Sequence, residues 1–442
     1  MSPLCRACGH ARRRREGDGE RVSTKARTPL APVTLPPGSS RVVENAPLAD
    51  VHTPHPSVPS VFIVAGEVSG DTAAASLAGE IHHLDPSVAL LGVGGPRMAS
   101  AGVNVMIDSV AWSAIGHVDP LLHLRTHLRR LRQVEQLIRR TSPTVLVLVD
   151  FAAFNLRLAE QLGGSVPVVY YFPPMVSVRR GNRAAKVARV KMRLLATLRP
   201  EAAAYAAAGA DVVFVGHPVV DTVRPSMDGT RARQHFGIPA SAPVIGLMPG
   251  SRAQEIRSHL PTLLAAADLL HHRAPDLWFV LPAPLPELAD LVMPRVKASG
   301  LPVRVVMEIY DAMALCTVLI VATGTATLEA AVLGIPMVAV YRLPWLSWVI
   351  AKRIVSVRYA ALPNILADAE IVPEYLQGRM TPKALAQTVT DLLADPQRRT
   401  SMKTALHEVA TSLGIPGAAT RAAQEVLSTL RQAQIAGRMG GA

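Results

Sequence analysis

A chain of 442 residues is too long for one ordinary hydrophobic core, so two domains plus a tail are expected. It is 49% hydrophobic, yet no uninterrupted apolar stretch reaches the roughly 18 residues that a spanning helix needs, which argues against a transmembrane chain. The formal net charge of +13 asks for an anionic partner; with only 4% aromatic residues and no recognised nucleic-acid module, a phosphorylated small molecule and an acidic lipid surface fit better than nucleic acid.

Residues 1–57 mix the run Arg12–Arg15 with Pro, Gly, Ser and Thr and show no apolar periodicity, so they are expected to form a disordered basic tail. No apolar core follows the arginines, so the tail does not read as a secretory signal. Cys5, Cys8 and His10 make half a zinc site without a second ligand pair, and no metal is assigned. With Cys316 the cysteines make no disulfide framework, so a reducing cytoplasm is expected.

Ordered structure is predicted from Val58. Val61–Ala65 reads as a strand, Gly66-Glu67-Val68-Ser69-Gly70-Asp71 as a tight loop and Thr72–His83 as a helix. Ala89–Val93 is the next strand, followed by Gly94-Gly95-Pro96-Arg97-Met98. In Val118–Leu137, Leu121, Leu124, Leu128 and Leu131 share one helical face with Leu122 beside them, while Arg125, Arg129 and Arg132 take the rest. Such a helix either packs its leucines in a core or lies on an anionic membrane. Val145–Val149 is the most clearly buried strand and ends in Asp150; Val166–Tyr171 and Val212–Val215 follow, the latter ending in Gly216-His217-Pro218. Strands alternating with helices give a doubly wound α/β domain over residues 58–222.

The Pro/Gly/Ser-rich connector Pro225–Pro243 sets a boundary near residues 222–240, and the pattern restarts for a second domain over 240–405. Val244–Met248 leads into Pro249-Gly250-Ser251-Arg252. There Gly250 allows close backbone approach, Ser251 offers a hydroxyl and Arg252 a phosphate-gripping fork. Val318–Ala322 leads into Thr323-Gly324-Thr325-Ala326-Thr327-Leu328-Glu329, a turn and helix start with free N–H groups and a carboxylate one turn in. Such loops suit a diphosphate and a ribose; taken singly, each also reads as an ordinary βα loop with a Thr cap. Neither G-x-G-x-x-G nor G-x-x-x-x-G-K-[ST] is present, which disfavours NAD and P-loop chemistry. Residues 406–442, helical over Gly417–Ala436, are expected to pack back on the first domain. Two Rossmann-like domains facing a cleft result, a natural nucleotide-sugar site.

Six motifs then occur in order: Ala65-Gly66-Glu67-Val68-Ser69-Gly70-Asp71, Gly94-Gly95-Pro96-Arg97-Met98, Pro249-Gly250-Ser251-Arg252, Gly324-Thr325-Ala326-Thr327-Leu328-Glu329, Leu362-Pro363-Asn364-Ile365-Leu366 and Val372-Pro373-Glu374-Tyr375-Leu376-Gln377. Together, over roughly residues 60 to 430, the chain resembles the lipid-A-disaccharide synthases. The resemblance implies an inverting glycosyltransferase of the two-Rossmann GT-B architecture, without cofactor or metal. Its implied reaction moves 2,3-diacylglucosamine from UDP-2,3-diacylglucosamine to 2,3-diacylglucosamine 1-phosphate. It also implies peripheral attachment to the inner face of the inner membrane. Asp150 matches the family's proposed base, with Glu67, Asp71 and His217 next in line. Arg252, Glu329, Asn364 and Gln377 match positions that hold UDP, beside Ser251, Gly324, Thr325 and Thr327 of the two loops.

Departures from the family pattern gather in the first domain. Asp-Ala-Pro-Asp-Phe-Asn in relatives is Asp150-Phe151-Ala152-Ala153-Phe154-Asn155 here, without the second carboxylate. Ser-Pro-Ser-x-Trp-Ala-Trp-Arg has become Phe172-Pro173-Pro174-Met175-Val176-Ser177-Val178-Arg179, and Leu-Pro-Phe-Glu has become Leu198-Arg199-Pro200-Glu201. The donor nucleotide is thus better supported than the acceptor. The alternatives are a diverged UDP-sugar transferase or epimerase and a non-catalytic UDP-binding, membrane-associated homologue.

Overall fold

The computed structural model describes residues 58–66, 68–109, 112, 124–176, 182–344, 348 and 358–440. The expected tail with its cysteine pair, Glu67, Leu121 and Leu122 lie outside these residues, as does the side chain of Leu124.

Runs of β-branched and leucine side chains, apolar on both faces, are stable only where helices cover both sides of a parallel sheet. β1 (Ser60–Ala65), β4 (Val145–Val149) and β11 (Val318–Ala322) are such runs, and every residue in them is buried. The first sheet adds β2 (Ala89–Gly94), β3 (Asn104–Asp108), β5 (Val168–Tyr171), β6 (Arg193–Ala196) and β7 (Val212–Phe214), in the order β3-β2-β1-β4-β5-β6-β7. The second contains β8 (Val244–Met248), β9 (Trp278–Pro282), β10 (Val303–Val306), β11, β12 (Met337–Tyr341) and β13 (Glu374–Leu376), in the order β10-β9-β8-β11-β12-β13. All pairings are parallel, with Ile63 beside Val147 in the first sheet and Ile320 beside Leu247 in the second. Strand order reverses between β1 and β4 and again between β8 and β11. Ligands of doubly wound sheets bind at such reversals, beyond the carboxyl ends of the strands.

Each sheet has its own core. The helix Val68–Leu84 begins four residues before the expected start and buries Ala74, Leu77, Ala78 and Ile81 in the first. The last helix, Ala418–Gly440, adds Ala422, Ala423, Val426, Leu427 and Leu430 to that core. The helix Pro396–Ser412 instead gives Met402, Leu406 and Val409 to the second core, so the chain returns after residue 412 and not at 406. In the helix Leu124–Thr141, Leu131, Val134, Leu137 and Ile138 are buried, while Arg125, Arg129, Arg132, Arg139 and Arg140 are exposed. Its described apolar face therefore belongs to the interior, not to a bilayer.

The two crossings between the cores are fastened together. His217 N–H donates to Leu413 O at 2.9 Å, and Asp221 accepts from Gly417 N and Ala418 N at 2.6 and 3.0 Å, capping the last helix. Asp311, buried, accepts from Ser226 N and Met227 N, both at 2.7 Å. Gly216 (φ 85°) meets Gly414 (φ 102°) so closely that a Cβ on Gly414 would lie 3.2 Å from Gly216 Cα. Glycine at both positions permits the contact.

Candidate active site

At the carboxyl edge of the first sheet the backbone is strained. Asp150 and Phe151, directly after β4, have φ of 50° and 49°, and Phe172, after β5, has 58°. Left-handed non-glycine residues cost on the order of 1–3 kcal/mol each and persist only where neighbours impose them. Here Asp150 N–H donates to Tyr171 O at 3.0 Å, while Asp150 O accepts from Asn155 Nδ2 and from Tyr170 OH, both at 2.8 Å. Burial, with the nearby Asp150 charge, holds the Tyr170 phenol well above its usual pKa, so it stays a donor. The clamp leaves the Asp150 side chain exposed beyond the strand end.

Phe151 turns its ring over Gly66, the residue after β1, where any Cβ would overlap the ring. The ring stacks on Phe154 (5.0 Å between centroids), with His127 edge-on to both and Trp112 at 5.8 Å from Phe154. An aromatic wall thus stands beside Asp150.

Two of the other base candidates are engaged by the scaffold. Asp71 is 2% exposed, and its oxygens accept from Gly95 N (2.8 Å), Arg97 N (3.1 Å) and Met98 N (3.1 Å). It ties the loop after β2 to the first helix, a scaffolding arrangement. His217 accepts from Val219 N at its Nδ1 (3.2 Å), and burial pushes its pKa down to about 4. Glu67 falls outside the described residues.

At the second edge, the loop after β8 turns at Gly250 (φ 122°) into the helix Ala253–Arg273. The Glu255 carboxylate lies in the nest this turn makes. It accepts from Ser251 N (3.2 Å), Arg252 N (3.4 Å), Arg252 Nη1 (3.3 Å) and Tyr341 OH (3.2 Å). Two backbone donors and a guanidinium converging on one carboxylate form an anion-binding geometry. Ser251 and Arg252 are themselves exposed. After β11, Gly324 (φ 137°) opens the helix Thr325–Val332 with space where its Cβ would be, and Thr325 is exposed. Glu329, one turn in, accepts from Tyr310 OH at 3.4 Å. Burial raises the Glu329 pKa, and burial with the Glu329 charge pushes Tyr310 up to about 12.

Three expected UDP contacts are occupied by the scaffold. Thr327 is fully buried and donates to Gly324 O at 2.7 Å. Asn364 is 0% exposed and saturated. Its Nδ2 donates to Val372 O and Glu374 Oε1, both at 2.8 Å, and its Oδ1 accepts from Ile371 N and Val372 N, both at 2.9 Å. Gln377 (φ 54°) faces the Leu343 backbone with its side-chain amide; turned so that nitrogen meets O and oxygen meets N, it donates at 3.2 Å and accepts at 2.9 Å. These side chains shape the loops instead of presenting free groups. Tyr170, Tyr310 and Glu255 carry no motif of their own, and they and Asn155 show their roles only in space.

The two edges approach each other. Met175, in the loop after β5, packs against the second core, and the Arg97 charge reaches Tyr310. That loop is held by Glu201, which accepts from Val176 N at 2.7 Å, and by Tyr205 OH, which donates to Pro174 O at 2.7 Å.

With this geometry in hand, residues 61–426 match the family model of lipid-A-disaccharide synthetase. The chain belongs to this family. It is 37% identical over 375 residues to the lipid-A-disaccharide synthase of Geobacter metallireducens, covering 84% of this chain and 97% of that protein. It is 40% identical, with the same coverage, to that of Anaeromyxobacter sp. strain K. Membership of the lipid-A-disaccharide synthetase family makes the chain a glycosyltransferase of lipid A biosynthesis. Solved structures agree on the GT-B fold at low identity. A UDP-GlcNAc 2-epimerase from Neisseria meningitidis matches with TM-score 0.56, 12% identity, and coverage of 84% of this chain and 100% of that one. The calicheamicin glycosyltransferase CalG4 matches with TM-score 0.51, 16% identity, and coverage of 85% and 98%. Among the described residues, no helix is long and apolar enough to cross a membrane.

Proposed function

We propose that the chain transfers 2,3-diacylglucosamine from UDP-2,3-diacylglucosamine to 2,3-diacylglucosamine 1-phosphate while attached to the cytoplasmic face of an anionic membrane. The observation that carries this reading is the pairing of a clamped, exposed Asp150 at one strand reversal with an anion nest and a half-buried carboxylate, Glu329, at the other. In this reading the diphosphate lies on Ser251, Arg252 and the Gly324-Thr325 turn, and the ribose hydroxyls donate to Glu329. Asp150 accepts the proton of the acceptor hydroxyl as its oxygen attacks the anomeric carbon. The bond from that carbon to the diphosphate breaks, UDP leaves with the electron pair, and the anomeric centre inverts.

The test incubates purified protein with both acylated sugars and follows UDP release and the disaccharide phosphate. Absence of both, with UDP still binding by calorimetry, sinks the transfer reading and leaves the non-catalytic one. The Phe151 wall over Gly66 favours a second reading, the same transfer onto a different acceptor. UDP release with another acylated acceptor, but none with the 1-phosphate, would select it.

A further inference from the structure

The buried side of the second domain contains a histidine that touches two of its loops, the one after β8 and the one after β12. His259, in the second turn of the helix Ala253–Arg273, is 0% exposed. Its Nδ1 lies 2.6 Å from Pro249 O and its Nε2 lies 3.0 Å from Arg342 N. A carbonyl can only accept and a backbone N–H can only donate, so the contacts fix the tautomer: the proton is on Nδ1 and Nε2 is bare. The ring also leans on Tyr341, 5.3 Å between centroids, whose hydroxyl donates to Glu255.

We propose that His259 is the positioning residue that sets the diphosphate loop against the loop after β12, and that donor affinity depends on its Nδ1 bond. This rests on the reading that Ser251 and Arg252 hold the donor diphosphate. The Pro249–Gly250 peptide is planar and trans, so holding its carbonyl toward His259 turns the Gly250 N–H the opposite way. Gly250, at φ 122°, has no steric preference of its own to keep that orientation. The far side of the ring is equally committed. Arg342 is held by its Nη2 on Met380 O at 2.7 Å, and Leu343 is held by Gln377. The imidazole therefore bridges the two loops by a direct backbone-to-backbone span, beside the Tyr341–Glu255 contact.

The experiment uses the full chain, with UDP as the probe. In wild-type protein with labelled histidine, nitrogen NMR should show one ring locked with its proton on Nδ1, and its signals should move at saturating UDP. Asn places its amide N–H near the position of Nδ1, whereas Gln reaches the position of Nε2. His259→Asn should thus keep the UDP dissociation constant within about threefold, while His259→Gln and His259→Ala weaken it about tenfold, the scale of one buried hydrogen bond. A purely structural role would instead lower the melting temperatures of Asn and Gln variants without separating their UDP affinities. Wild-type UDP affinity in His259→Ala, or ring signals unmoved by UDP, overturns the proposal. Unchanged affinity in Arg252→Ala removes the diphosphate-loop reading and the proposal with it. Weakened Arg252→Ala beside normal His259→Ala removes the proposal alone.

Discussion

Asp150 owes its placement less to its own side chain than to the three groups that hold its backbone. Tyr171 O takes its N–H, while Asn155 and Tyr170 take its carbonyl, so a conformation unfavourable for aspartate becomes the one the strand end imposes. Replacing the carboxylate leaves that clamp intact. Asp150→Ala should lower turnover by roughly 10²–10⁴ while the UDP dissociation constant barely changes. Activity within a few-fold of wild type would move the base role to another group. His217 carries a different prediction. Its folded pKa of about 4 lies below the ordinary 6.5, so between these values the unfolded chain binds a proton that the native chain refuses. This group therefore makes native stability rise with pH from about 4 to 6.5 and contributes no slope above that window. Denaturant midpoints measured across it should climb less steeply in His217→Gln, and an unchanged climb would show that the imidazole is not the group that titrates.

At the scale of elements, the loops divide into those that present groups and those that tie the scaffold. In the proposed reading, Arg252→Ala and Glu329→Ala would each remove a charged partner of the donor, a loss of about 1.5–3 kcal/mol, so donor KM should rise roughly tenfold or more. Asn364→Ala strips a buried site of four hydrogen bonds and should appear as a lower melting temperature, not as a specific donor defect. The same division explains what could be read in the sequence. β1, β4, β8 and β11 declare themselves because central parallel strands are apolar on both faces, and the loops that follow them inherit their position. β3 (Asn104–Asp108) is a half-exposed edge and β6 (Arg193–Ala196) is four residues opening on Arg193, so neither carries a run long enough to stand out. Among the candidate site residues, Asp150, Ser251, Arg252, Gly324, Thr325 and Glu329 follow from strand-end position. Asp71, Thr327, Asn364 and Gln377 bond to protein groups, and a motif records that a side chain matters without recording whether it faces a ligand or a neighbouring loop. Asp71, Asn364 and Gln377 find their partners in other segments, which no spacing in the chain reveals, while Thr327 turns back onto Gly324 O of its own loop.

For the whole molecule, the remaining issue is how a protein with no described membrane-spanning helix would meet acylated substrates. The helix Leu124–Thr141 is decisive, because its two faces have opposite fates. Leu131, Val134, Leu137 and Ile138 are spent on the interior, so insertion of this stripe into a bilayer would pull buried side chains out of the protein. The opposite face keeps Arg125, Arg129, Arg132 and Arg140 in solvent. An anionic leaflet attracts such a surface with about 1 kcal/mol per basic residue close to the headgroups, within a screening length of roughly 10 Å at 0.1 M salt. Attachment through this face should therefore be electrostatic first. Purified protein should sediment with vesicles containing anionic lipid, sediment little with neutral ones, and detach as salt rises. Replacing Arg125, Arg129 and Arg132 together with Gln should lower the bound fraction several-fold while UDP affinity and melting temperature stay near wild type, since none of the three lies in a core or at a strand reversal. Binding that survives both high salt and the triple substitution would shift the attachment to apolar insertion elsewhere in the chain. The Leu121, Leu122 and Leu124 to Ser variant would then distinguish the outcomes: release with the fold intact would place the contact at the start of this helix, and unfolding would assign those leucines to the interior.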